Sequence, residues 1–184
     1  MHRIPLFVAM FFVAIPAMAV AQPRGLGHTV RWDLVQITQG TALAGGDNVA
    51  KDAATGDTFT LTGSGDAEPA EADATGGGTI VHHFANGRPD STGVYVVTGF
   101  HSWQPGGGQL PIADGVGHVS ETSAGVLKMA IRIFRASGGF SDATLIVNCH
   151  LPGATVDVDE GIELSVGAFN AKQNGGFTLF HVQK

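Results

Sequence analysis

Cysteine is almost absent. Cys149 is the single one in 184 residues, so no disulfide can form within the chain and stability has to come from packing. Basic residues are also few, ten lysines and arginines against sixteen acidic side chains, for a formal net charge of -6. Downstream of Arg31 the main cations, Lys51, Lys128, Arg132 and Arg135, are too scattered to form the dense cationic stripe that phosphate backbones require. No nucleic-acid partner is expected. No stretch repeats apolar residues at i, i+3, i+4 and i+7 for long enough to predict a helix. The signatures that announce chemistry are missing too: there is no G-x-S-x-G elbow, P-loop, H-E-x-x-H or paired C-x-x-C. Hydrolase and zinc-site readings lose their usual support.

The clearest positive signal lies at the N-terminus, where Arg3 precedes an apolar run from Ile4 to Ile15, then Pro16 and small residues. This pattern predicts a secretory signal peptide. Of the two A-x-A sites, Ala17-Met18-Ala19 and Ala19-Val20-Ala21, the second is favoured because polar residues begin at Gln22. The run falls short of the ~20 apolar residues of a membrane-spanning helix, and no cysteine lies near enough for lipid attachment. The expectation is a signal peptide over 1–21 and a single all-β domain over 22–184, secreted or periplasmic, with no integral membrane association after cleavage.

Glycine clusters at Gly76-Gly77-Gly78, Gly106-Gly107-Gly108, Gly138-Gly139 and Gly175-Gly176 punctuate short β-branched or aromatic runs. In the plainest of these, Val126 to Phe134, Leu127, Met129, Ile131 and Ile133 alternate with Lys128, Ala130 and Arg132, which predicts a half-buried antiparallel strand. The run from Ala143 to Leu151 follows it across Ser137-Gly138-Gly139 as a hairpin. Further strands are expected over Val30 to Val35, Thr58 to Gly63, Thr79 to Phe84, Gly93 to His101, Ile162 to Val166 and Phe177 to Val182. About eight strands at this spacing predict an antiparallel β-sandwich or small β-barrel. Val94-Tyr95-Val96-Val97 is apolar on both faces, so its strand is expected at the centre, covered on both sides. The acidic segment Asp66 to Asp73 reads as a solvated loop.

R-W-D-L at Arg31 to Leu34, F-T-L-T-G-S-G at Phe59 to Gly65, G-V-Y-V-V-T-G-F at Gly93 to Phe100 and L-I-V-N-C-H-L at Leu145 to Leu151 resemble a group of small exported bacterial proteins with no assigned activity. The resemblance would cover most of the mature chain. It rests on strand and turn patterns, so it implies the architecture and adds no chemistry.

Histidine is the strongest chemical cluster, with His82-His83, His101, His118, His150 and His181 in or beside expected strands. Adjacent strand residues point to opposite faces, so His82 and His83 cannot chelate one ion, and neither a metal nor a cofactor is expected. Cys149 beside His150 would make a thiol-imidazole dyad only if alternation failed, and a buried small hydrophobe is the better reading. Asp157-Val158-Asp159-Glu160-Gly161 with Glu163 supplies half a calcium loop, yet the twelfth position from Asp157 is Ala168, so an acidic turn is preferred. The expected ligand site is His101 and Trp103 with Tyr95, where an aromatic and a titratable group meet a glycine-rich loop at a strand end. The functional expectation is a noncatalytic domain that binds a small ligand or a cell-surface partner. The alternative is a small isomerase- or cyclase-like β-barrel enzyme with a pocket histidine or carboxylate as acid or base.

Overall fold

The computed structural model describes residues 28–183, so the expected signal peptide and its cleavage site lie outside the described residues. The fold is all-β: thirteen strands and one 3-10 turn, with no α-helix among the described residues. In chain order the strands are β1 (Thr29–Thr38), β2 (Thr41–Ala44), β3 (Asn48–Asp52), β4 (Thr58–Glu68), β5 (Asp73–Ala74), β6 (Gly77–His83) and β7 (Pro89–Gly107). They continue with β8 (Ala113–Asp114), β9 (Thr122–Arg135), β10 (Phe140–Cys149), β11 (Gly161–Val166), β12 (Phe169–Gly175) and β13 (Phe177–Gln183).

Every strand expected from alternation is present. The additional ones lack an apolar stripe. β3 buries Asn48, Ala50 and Asp52, and β12 (FNAKQNG) buries only Ala171, so the face turned inward is polar or nearly empty of side chain. β2, β5 and β8 are too short for alternation to register.

Pairing runs from β9 to β10, β11, β12, β3, β4, β6 and β7 and returns to β9, a closed antiparallel circuit of eight strands. Closure removes the free edges those strands would otherwise present. Register brings one set of side chains to the inside: Met129 faces Leu145, which faces Leu164, and Leu127 faces Val147, which faces Ile162. Leu61 faces Ile80 on the other side of the circuit, and Tyr95 faces Ile133. All are buried. Each aliphatic or aromatic side chain so enclosed contributes about 1.5–3 kcal/mol. β1 pairs with both β13 and the C-terminal half of β4, and β13 pairs with the start of β9, so this second layer closes one end of the circuit around Trp32, Leu34, Leu179 and Phe180.

Two expectations about β7 are corrected. It lies between β6 and β9, but Val94 and Val96 are 52% and 41% exposed, so its outer face is uncovered. Consecutive valines here reflect the fit of β-branched side chains to a pleated backbone rather than two-sided burial. The strand also does not end at His101. It runs on to Gly107, with irregularities between Val97 and Gly99, Phe100 and Ser102, and Pro105 and Gly107. The first two bulges cancel, so Trp103, opposite Leu127, returns to the inward face that Tyr95 takes opposite Ile133, whereas His101 is the extra residue between Phe100 and Ser102 and is exposed. The acidic segment from Asp66 is likewise not all loop, since β4 extends to Glu68 and pairs there with β5.

Candidate functional site

At the end of the circuit opposite β1 and β13, four connections come together: residues 53–57, 84–88, 136–139 and 167–168. They frame the mouth of a cavity of about 430 Å³. Its walls are Phe59, Ile80, Phe84, Ile133, Val166 and Phe169, and its polar groups are Asp57, His82, Asp90, Ser91, Arg135 and Ser141. An apolar cavity with a few converging polar groups is the usual form of a small-molecule site, and barrel mouths are a frequent place for one.

His82 sits at the centre of the polar wall because alternation on β6 puts it on the same face as Ile80, pointing inward, while His83 points away. Its Nε2 lies 2.9 Å from Asp57 Oδ2 and its Nδ1 lies 3.0 Å from Asp90 Oδ2. Its ring stacks on Phe59 at 4.6 Å between centroids with an interplanar angle of 10°, and it is tilted against Phe84 and Phe169. Asp57 is held from behind by the Ala85 N–H, which donates to its Oδ1 at 3.1 Å. A neutral imidazole donates through only one nitrogen, so bonding to both carboxylates at once requires one further shared proton. The side chains of His82 and Asp57 are nearly enclosed, whereas Asp90 is 39% exposed and forms the open end of the chain.

The rim is fastened by a second carboxylate. Asp52 Oδ2 accepts the Asn170 N–H at 2.8 Å, and its Oδ1 accepts the Ala54 and Thr55 N–H groups and the Thr55 hydroxyl. Those donors, the Asn170 and Thr55 N–H groups foremost, hold Asp52 below the ordinary carboxylate range.

None of the three residues expected at a site lines this cavity. Tyr95 is buried deeper in the circuit, where its hydroxyl donates to the Thr62 carbonyl at 3.1 Å and burial raises its pKa. Trp103 is half-buried and meets Phe180 edge-on at 4.7 Å. His101 is exposed. The three are not brought together.

His82 belonged to the histidine cluster noticed in the sequence, and its parity with Ile80 was available to single it out. Arg135 was legible in the same way, since it shares the parity of Ile133. Asp57 and Asp90 gave no signal, because only the meeting of two separate turns brings them to one imidazole.

The remaining clusters have structural roles. Among the described residues no group of three or more His, Cys, Asp or Glu side chains is arranged to hold a metal ion. In the acidic turn, Glu160 accepts hydrogen bonds from the His150 and Thr178 N–H groups and the Thr178 hydroxyl, joining β10 to β13, while Glu163 pairs with Lys172. Burial pushes the Glu160 carboxyl above its ordinary range. Cys149 is buried with its thiol donating to the Thr178 carbonyl at 3.3 Å, and His150 is exposed on the other side, so they form no dyad. Burial, and then the nearby Glu160, raises the thiol pKa. His181 Nε2 lies 2.8 Å from Asp114 Oδ2 in a fully enclosed pair that pins the segment after β8. A second depression, outside β10 to β12, is lined by Asn148, Glu163 and Lys172, whose polar groups bond to one another.

Comparison of the chain with protein-family models, with curated proteins and with solved structures finds no match in any of the three. No helix among the described residues is long and apolar enough to cross a membrane.

Proposed function

We propose that this chain is an exported β domain that binds a small, largely apolar ligand in the cavity at the mouth of its strand circuit. The observation that carries the proposal is the cavity itself: the interior is filled by Tyr95, Ile131, Leu145 and Leu164, yet open space remains above Ile80 and Ile133. A domain needing only stability gains by filling such space, since each enclosed methylene is worth about 0.8 kcal/mol. The signal-like N-terminus supports export, after which the domain would meet its ligand in the periplasm or medium.

The neutral fluorophore N-phenyl-1-naphthylamine tests the reading. Its emission should rise on mixing with the protein, and Val166→Trp, which fills the cavity from its wall, should weaken binding at least tenfold while leaving the melting temperature within a few degrees. An absent signal, or one unchanged by Val166→Trp, would remove the proposal.

The Asp57–His82–Asp90 chain favours a second reading, an acid-base enzyme of the isomerase or cyclase type in the same cavity. Asp90, the open carboxylate, would take a proton from the substrate and return it at another atom, with His82 and Asp57 orienting it and adjusting its charge. The readings separate on the fate of the ligand. A binding domain releases the molecule it captured unchanged, whereas the enzyme releases an isomer of equal mass and altered retention time, a conversion that Asp90→Asn abolishes.

A further inference from the structure

We infer that the ligand of the mouth cavity carries an anionic head, a carboxylate on an apolar body, and that Arg135 receives it; this rests on the reading of the cavity as a binding site. Arg135 pairs with Gly93 and lies two residues beyond Ile133, so it takes the inward face of β9 at the rim. A cation on the apolar face of a strand is an exception to the pattern that Lys128 and Arg132 follow on the other face.

The hairpin after β9 is shaped around its guanidinium. Nη1 donates to Ser141 Oγ at 2.7 Å and Nη2 to the Phe140 carbonyl at 3.4 Å. Gly139, at φ +78°, leaves the space beside Nη2 free, and a Cβ there would stand 3.3 Å from that nitrogen. Ser141 faces Ile133 across the strands, so the hydroxyl that holds the arginine belongs to the same inward face.

Charge accounting around the cavity leaves this group unspent. Among the described residues no carboxylate lies within ion-pair distance of Arg135, while Arg132 is paired with Asp142 and Arg31 with Asp33. The cavity's two carboxylates are engaged by His82, and Asp57 by the Ala85 N–H as well. A guanidinium has five donors in a planar fork, and two of these are used within the hairpin. The free donors at the lip of an apolar chamber match the two oxygens of a carboxylate.

Isothermal titration of the full chain with octanoate, octanol and octyltrimethylammonium at neutral pH tests this. Octanoate should bind about tenfold tighter than octanol, as expected for a charge-assisted pair, and the ammonium compound should bind weakest. Arg135→Gln should bring octanoate binding down to the level of octanol while the melting temperature stays within a few degrees. Equal binding of octanoate and octanol, tighter binding of the ammonium compound, or an octanoate preference that survives Arg135→Gln would overturn the anionic head while leaving the cavity reading intact. Binding of none of the three would overturn both.

Discussion

Asp57 and His82 are joined across two strands, with Asp57 Oδ2 lying 2.9 Å from His82 Nε2 while its other oxygen accepts the Ala85 N–H. One carboxylate therefore fixes the imidazole and ties the turn before β4 to the turn after β6. Asp57→Ala should destabilise the protein by about 1–3 kcal/mol, because it leaves the nearly enclosed His82 ring nitrogen and the Ala85 N–H without their acceptor. Denaturant unfolding measures this. The same variant should weaken binding of the neutral fluorophore, since His82 loses the bond that orients it in the cavity wall.

Acid and neutral pH should stress different parts of the molecule. Burial alone would raise the Asp114 carboxyl, but bonds from His181 and from the Gly117 and Val116 N–H groups outweigh it and hold the group below 3.8. Its stabilising effect is thus complete above that value and is lost as pH falls through the folded-state pKa. Glu160 has the opposite sign. Burial raises it above 4.5, so its contribution is complete below 4.5 and declines as pH rises through the folded-state pKa. Unfolding measured across the acid range should show the gap between wild type and Asp114→Asn closing at low pH. The gap between wild type and Glu160→Gln should change on the neutral side.

Cys149 should react with thiol reagents only after unfolding, since it is fully buried and burial disfavours its thiolate. Cys149→Ser should cost about 1–2 kcal/mol: the smaller hydroxyl packs less well, although the Thr178 carbonyl remains as acceptor. Rapid labelling of the native protein would contradict this placement.

Trp103 and Tyr95 should behave as packing residues. Trp103→Ala should cost about 2–4 kcal/mol through lost contact with Phe180, and Tyr95→Phe about 1 kcal/mol through the lost bond to Thr62. His101→Ala should change stability by less than about 0.5 kcal/mol, as an exposed position does. None of the three should alter binding of the neutral fluorophore. A binding defect confined to His101→Ala would move the site to the middle of β7.

The sequence made the frame of the fold legible wherever burial was one-sided and regular. Leu127 to Ile133 and Leu145 to Cys149 alternate because one face meets the core, and the positive φ of Gly138 and Gly139 marks the turn between them. β3 and β12 were invisible because their inward positions carry Asn48, Asp52 and Ala171, which bind backbone or fit close quarters instead of supplying apolar area. At β7 the parity rule held for Trp103, which faces the core opposite Leu127, and failed at His101, which a bulge with no fixed sequence signature turns out to solvent. The inward side chains of His82 and Arg135 were readable by counting along their strands. Their partners, Asp57 in the turn before β4 and Asp90 and Ser141 on other strands, became visible only when the circuit closed.

The most direct test of a ligand in the mouth cavity is a methyl-resolved NMR titration of isotope-labelled protein with N-phenyl-1-naphthylamine. Chemical-shift changes should concentrate on the methyl groups of Ile80, Ile133 and Val166, which line the cavity, while Val94 and Val96 on the open outer face of β7 stay unmoved. Shifts confined to Val94 and Val96, or none at the three cavity residues at saturating probe, would contradict the account.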